Sequence, residues 1–110
     1  MKITTHVLDT SKGLPAHDVV IILYEIGSEG DKEIQRQKTN RDGRNESALH
    51  PAPLKAGSYK LRFETGAYFE RQGLHSFYPF VEICFNTDGT SHYHVPLLLS
   101  PFGYATYRGS

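Results

Sequence analysis

The chain has a single cysteine, Cys84, a single methionine, no tryptophan and no net charge. One cysteine excludes an internal disulfide and a Cys-rich zinc site. Twelve Lys and Arg residues cancel twelve Asp and Glu. That balance argues against nucleic acid as the main partner, because phosphate binding calls for a net basic face. No run approaches the roughly 18–20 apolar residues of a transmembrane helix, so no membrane partner is expected. Met1-Lys2-Ile3-Thr4-Thr5-His6 lacks the apolar segment that follows the lysine in a signal peptide, and a cytoplasmic location is expected. At 110 residues the chain has length for one domain and not for two, so residues 1–110 are expected to form a single unit.

What is present favours strands. Seven Tyr and six Phe suit a β-rich core. Residues 3–8 read as a short strand ending in the turn cluster Asp9-Thr10-Ser11-Lys12-Gly13. The run Val19-Val20-Ile21-Ile22-Leu23-Tyr24 is β-branched and nearly continuous, as in a buried strand. Residues 34–39 are polar on both faces and suit an edge. Tyr59, Leu61 and Phe63 alternate with Lys60, Arg62 and Glu64, which places the first three on one face. Val81, Ile83 and Phe85 repeat the pattern. Asp88-Gly89 then predicts a hairpin turn into a return strand over 92–99, with a last strand over 103–107. A single short helix is expected over 67–72, with Thr65 as N-cap and Gly73 as the residue that ends it. Seven to eight strands at this spacing predict an all-β, two-sheet antiparallel sandwich with one short helix.

Six histidines are the compositional excess that carries chemistry, since imidazole titrates nearest neutral pH. In His92-Tyr93-His94 the two imidazoles share one face of a strand. Such a pair serves either as part of a zinc site or as a proton-transferring surface, and it also occurs as plain strand histidines. A zinc site needs a third ligand, for which His6 is the candidate if its strand lies alongside. If Val7 and Val95 face the core, His6 and His94 both lie on the outer surface of a sheet, with Leu8, Pro96 and Leu98. A face that apolar predicts a subunit interface around a polar cleft. In Thr39-Asn40-Arg41-Asp42-Gly43-Arg44 a turn built on Asp-Gly presents Arg44, whose planar fork suits a carbonyl-rich or anionic ligand. The same spacing describes a solvated loop arginine. Tyr107-Arg108-Gly109-Ser110 sets an aromatic, a cation and a hydroxyl directly after a strand, and Ser110 adds an α-carboxylate. Asp9 reads as a turn residue and Cys84 as a small core residue.

Three stretches and the tail together resemble the transthyretin-like 5-hydroxyisourate hydrolases of urate degradation. They are His6-Val7-Leu8-Asp9 with Gly13-Leu14-Pro15-Ala16, then residues 39–44, then His92-Tyr93-His94-Val95-Pro96-Leu97-Leu98-Leu99-Ser100-Pro101, and finally Thr106-Tyr107-Arg108-Gly109-Ser110. The resemblance spans essentially the whole chain. Its closing Tyr-Arg-Gly-Ser is the mark that separates the hydrolases from the hormone carrier transthyretin. Ala105 stands where members often have Ser, and residues 27–32 are slightly longer than usual. The resemblance implies a transthyretin-like sandwich, a homotetramer with sites in a channel, and hydrolytic ring opening of 5-hydroxyisourate to 2-oxo-4-hydroxy-4-carboxy-5-ureidoimidazoline. It implies no metal and no organic cofactor. It maps catalytic roles to His6, Arg44, His94 and Ser110. Substrate contacts are expected from Arg44, Tyr107, Arg108 and Ser110, with His92 behind them. The competing readings are a small-ligand carrier using the same channel and a zinc protein built on His92 and His94.

Overall fold

The core begins where the sequence is most β-branched. In the computed structural model, which describes residues 2–50 and 54–110, Ile21 and Leu23 of that run are fully buried. The chain forms β1 (Ile3–Asp9), β2 (Leu14–Pro15), β3 (Val20–Gly27), β4 (Gly30–Lys38), β5 (Gly57–Phe63), α1 (Thr65–Glu70), β6 (Val81–Thr87), β7 (Tyr93–Ser100) and β8 (Gly103–Thr106). Two four-stranded sheets face each other, in the orders β2-β1-β7-β8 and β4-β3-β5-β6. Alternation supplies the core from both: Ile3, Val7 and Leu97 from one sheet, Leu23, Tyr59, Leu61 and Phe63 from the other. Ile22 also is buried, at 2% exposure, although it stands outside that cluster. Its strand partners are Arg36 and Arg62, long side chains that flank it on the outer side. The near-continuous apolar run over 19–24 is thereby explained.

The all-β, antiparallel-dominated sandwich of eight strands with one short helix is as expected, and β1 and β7 are its parallel pair, Ile3 opposite Tyr93 through Asp9 opposite Leu99. Four other expectations need correction. Asp88-Gly89 makes no hairpin, because β6 and β7 belong to different sheets. The link crosses between layers and is held by Asp88, whose Oδ1 accepts from the Thr90 and Ser91 amides and from the Tyr93 hydroxyl. His92 therefore precedes β7 and is exposed. Helix α1 starts earlier than expected, with Glu64 at the cap position and no side-chain cap bond. Thr65 is 1% exposed and its hydroxyl has no partner, so packing took the residue that capping would have used. The helix also ends earlier than expected, at Glu70 with Arg71 as its C-cap, while Gly73 N–H donates to the Glu70 carbonyl and Leu74 N–H to that of Phe69, closing the turn around Gly73. Asp9 is the fully buried end of β1, accepting from Ser11 and from the Tyr68 hydroxyl at 2.8 Å. It thus ties the helix to the first sheet, and burial together with that carboxylate pushes the Tyr68 phenol up to about 12. Cys84 is exposed, because the inward positions of β6 are Val81, Ile83 and Phe85. Among the described residues no helix is long and apolar enough to cross a membrane.

Candidate active site

The outer face of the β2-β1-β7-β8 sheet holds the site. Alternation along β1 buries Ile3, Thr5, Val7 and Asp9 and turns Thr4, His6 and Leu8 outward. The parallel register sets Thr4 beside His94 and His6 beside Pro96. On the other edge of β1, Arg44 sits opposite His6 in a short antiparallel bridge. The turn before Arg44 is prebuilt: Asn40 Oδ1 accepts from the amides of Asp42 and Arg44, an Asx arrangement. It is clamped to the strand by Val7 N–H, which donates to the Gly43 carbonyl at 2.7 Å. Gly43 has φ +76°, and a side chain there would drive its Cβ to 2.3 Å from the Val7 carbonyl oxygen. Only glycine lets the loop lie this close.

The tail closes the opposite side. Gly109 bridges to His94, its N–H donating to the His94 carbonyl at 2.8 Å. A Cβ on Gly109 would stand 2.4 Å from Cδ2 of the His94 ring. The glycine is a flat surface against which the imidazole rests. The result is a cavity of about 480 Å³ lined by Thr4, His6, Arg44, His92, His94, Tyr107, Gly109 and Ser110. That size falls within the roughly 300–1,000 Å³ of small-molecule sites.

Electrostatics in the cavity favour neutral imidazoles. Burial, then the Arg44 charge, lowers the pKa of His6 below its ordinary value, partly offset by a hydrogen bond to the Asp42 backbone. His94 is lowered by burial, by Arg44, and by His6 and His92. Each ring then offers one donor and one acceptor at neutral pH. The Arg44 guanidinium makes no ion pair among the described residues. It is available to an incoming group.

The structure brings His6, Arg44, His94, Tyr107 and Ser110 together, with His92 at the rim. It does not bring Arg108 in. That guanidinium lies 4.9 Å from the centre of the Tyr93 ring and lines a second, apolar cavity of about 240 Å³ between the sheet edges. Among the described residues no three His, Cys, Asp or Glu side chains are grouped to hold a metal ion. Nδ1 of His94 and Nε2 of His92 turn instead to the Thr4 hydroxyl, at 2.8 and 3.4 Å.

The family model that describes HIUase and transthyretin matches residues 3–109. This chain belongs to the HIUase/Transthyretin family. Among curated members it is 47% identical to the 5-hydroxyisourate hydrolase of Mus musculus, over 98% of this chain and 94% of that protein. The solved Klebsiella pneumoniae 5-hydroxyisourate hydrolase superposes with a TM-score of 0.90 at 39% identity, covering 100% of both chains. Sparus aurata transthyretin superposes equally well, TM-score 0.91 at 30% identity, over 97% of this chain and 95% of that one. The backbone therefore does not tell these two proteins apart, and a functional reading has to rest on side chains.

The sequence reading assigned no role in this cavity to two of its lining residues, Thr4 and Gly109. Thr4 shares the outward parity of His6, which is a usable signal. Its partner His94 lies ninety positions away, and nothing local announces the pairing.

Proposed function

We propose that this chain is a 5-hydroxyisourate hydrolase acting through His6, Arg44, His94 and Ser110. The convergence of two neutral imidazoles, one unpaired guanidinium and the tail hydroxyl on a single cavity is the observation that carries the reading. Opening the six-membered ring needs water to lose a proton as it attacks a ring carbonyl. It also needs a donor for the oxyanion and a proton for the departing ring nitrogen. His6 and His94 handle the protons. Arg44, held rigid by its turn, offers a planar fork to the urate-like oxygens and to the developing charge. Ser110 and Tyr107 position substrate or water, and Arg108 acts indirectly by anchoring the tail over Tyr93. No metal or organic cofactor enters this mechanism.

A homotetramer completes the proposal. Strands β6 and β8 are each an edge of their sheet, open to continue into a second chain. The outer face beyond the histidines carries half-buried Leu8 and Leu98, which suits burial against a further pair of chains. A cytoplasmic location is part of the same reading, supported by an unpaired cysteine. The deciding assay generates 5-hydroxyisourate from urate with urate oxidase and follows its disappearance with and without the protein. Acceleration over spontaneous decay is expected. Decay at the spontaneous rate, or a monomer in sedimentation equilibrium, overturns the activity or the assembly respectively.

A further inference from the structure

The Thr4 hydroxyl stands between two imidazoles. It is 2.8 Å from Nδ1 of His94 and 3.4 Å from Nε2 of His92. His94 is half-buried in the cavity, whereas His92 is exposed at its rim. No Asp or Glu side chain among the described residues bonds either ring, so the usual carboxylate that orients a working histidine is absent here, and a hydroxyl occupies its place. The groups that face His94 are His6 from β1, Arg44 from the adjoining loop, His92, and Tyr107 and Ser110 from the tail. Arg44, His6 and His92 all disfavour a lasting positive charge on that ring. A base in this position needs somewhere to pass its proton.

We propose that Thr4 is a positioning residue that links His94 to His92 and lets His92 take up the proton that His94 removes from water. The inference rests on the hydrolase reading above. In the resting polarity His94 Nδ1–H donates to Thr4 Oγ1 and the Thr4 hydroxyl donates to His92 Nε2. His94 Nε2, which has no bonded partner among the described residues, then holds its lone pair toward the cavity. When water attacks, its O–H bond breaks and His94 Nε2–H forms. The Nδ1–H proton moves to Thr4 Oγ1 while the original Thr4 proton moves to His92 Nε2. Three bonds to hydrogen break and three form, and the positive charge ends on the exposed ring. His94 is left neutral with its proton on Nε2, the form that donates to the departing nitrogen. Return of the proton from His92 through Thr4 restores the start. The longer leg, 3.4 Å, is the one that must tighten, as hydrogen bonds of unliganded sites commonly do on substrate binding.

The test uses the whole protein and the variants Thr4→Val, Thr4→Ser and His92→Gln. Thr4→Val keeps the shape and loses the hydroxyl. It is expected to lower kcat about 10-fold or more with KM nearly unchanged, whereas Thr4→Ser stays within about threefold of the parent. His92→Gln is expected to lose kcat in dilute non-nucleophilic buffer and regain it with added imidazole, because the replaced group is open to solvent. Nitrogen-15 NMR of labelled histidine in the free protein gives a readout independent of turnover. His94 is expected protonated on Nδ1 in the parent and mixed between nitrogens in Thr4→Val. An active parent whose Thr4→Val and His92→Gln variants keep kcat within twofold overturns the relay while leaving the hydrolase reading intact. So does a His94 tautomer that is on Nε2 in the parent or indifferent to the valine. A parent that does not hydrolyse 5-hydroxyisourate overturns the hydrolase reading instead. The NMR result then still decides whether Thr4 sets the His94 ring.

Discussion

The two sheets present outer faces of opposite character. On the β4-β3-β5-β6 face nearly every charge is matched. Lys60 Nζ reaches Asp31 at 2.7 Å and Glu82 at 3.3 Å and lies 4.7 Å from the Tyr24 ring centre. Arg62 pairs with Glu64 and Glu82 and stacks on Phe80. On the β2-β1-β7-β8 face the basic groups His6, His94 and Arg44 stand together, and among the described residues none of them is ion-paired, the Asp42 charge acting on His6 only weakly. Paired charges describe a surface built to sit in water, where each pair contributes little. Bases left unpaired and pressed together are costly unless something else is gained. Here the gain is a pair of neutral imidazoles beside a fixed cation. Net charge is zero in the whole chain, so it is the distribution of charge that tells the two faces apart.

The contrast is broken most sharply by exchanging single residues between roles. His94→Asn is expected to reduce hydrolysis by roughly 10²–10⁴-fold, the range for loss of a proton-transfer group. Its melting temperature should stay near the parent's, as read by calorimetry beside the urate-coupled assay. Removing residues 107–110 takes away Ser110 and the Gly109 surface under His94. We expect about 10²-fold lower turnover from the lost transition-state contacts with folding largely retained, since Gly109 and Ser110 contribute no core residue. On the charged face, Lys60→Met should leave turnover unchanged and shift stability by no more than about 1 kcal/mol. Loss of activity there would abolish the distinction between the faces.

A pH titration sharpens it. The pKa values of His6 and His94 lie below the ordinary 6.5, so the unfolded chain binds more protons between those values. Their contribution to stability is complete above about 6.5 and declines as pH falls toward the folded values. The acid limb of activity is expected in the same window. Arg44→Gln removes a cationic neighbour of both rings, so both should titrate higher, as followed by the imidazole C–H resonances. Unmoved resonances would show that burial alone depresses the two histidines.

Much of this was legible from alternation and from the family motifs. Period two placed Tyr59, Leu61 and Phe63 inward and His6 and His94 outward, because one buried face fixes the parity of a whole strand. The parallel β1–β7 pair was not legible, since residues ninety apart share no local signal. The Asp88-Gly89 link failed for a related reason: a turn dipeptide reports a bend in the chain and not which sheet the next strand joins. Thr65 looked like a cap and was taken into the core. Arg108 looked like a ligand contact by its neighbours in the tail, yet the ring of Tyr93 offers it a closer resting place.

The pairing of β1 with β7 also dictates when activity can first exist. The second sheet draws all its strands from residues 20–87, close neighbours along the chain, so it has what it needs early in synthesis. Strand β1 precedes all of these along the chain, yet it must wait with Thr4 and His6 displayed until residues 93–110 have been added. A chain that lacks residues 93–110 holds β1 without its β7 neighbour, with Thr4 and His6 parted from His94, Tyr107 and Ser110.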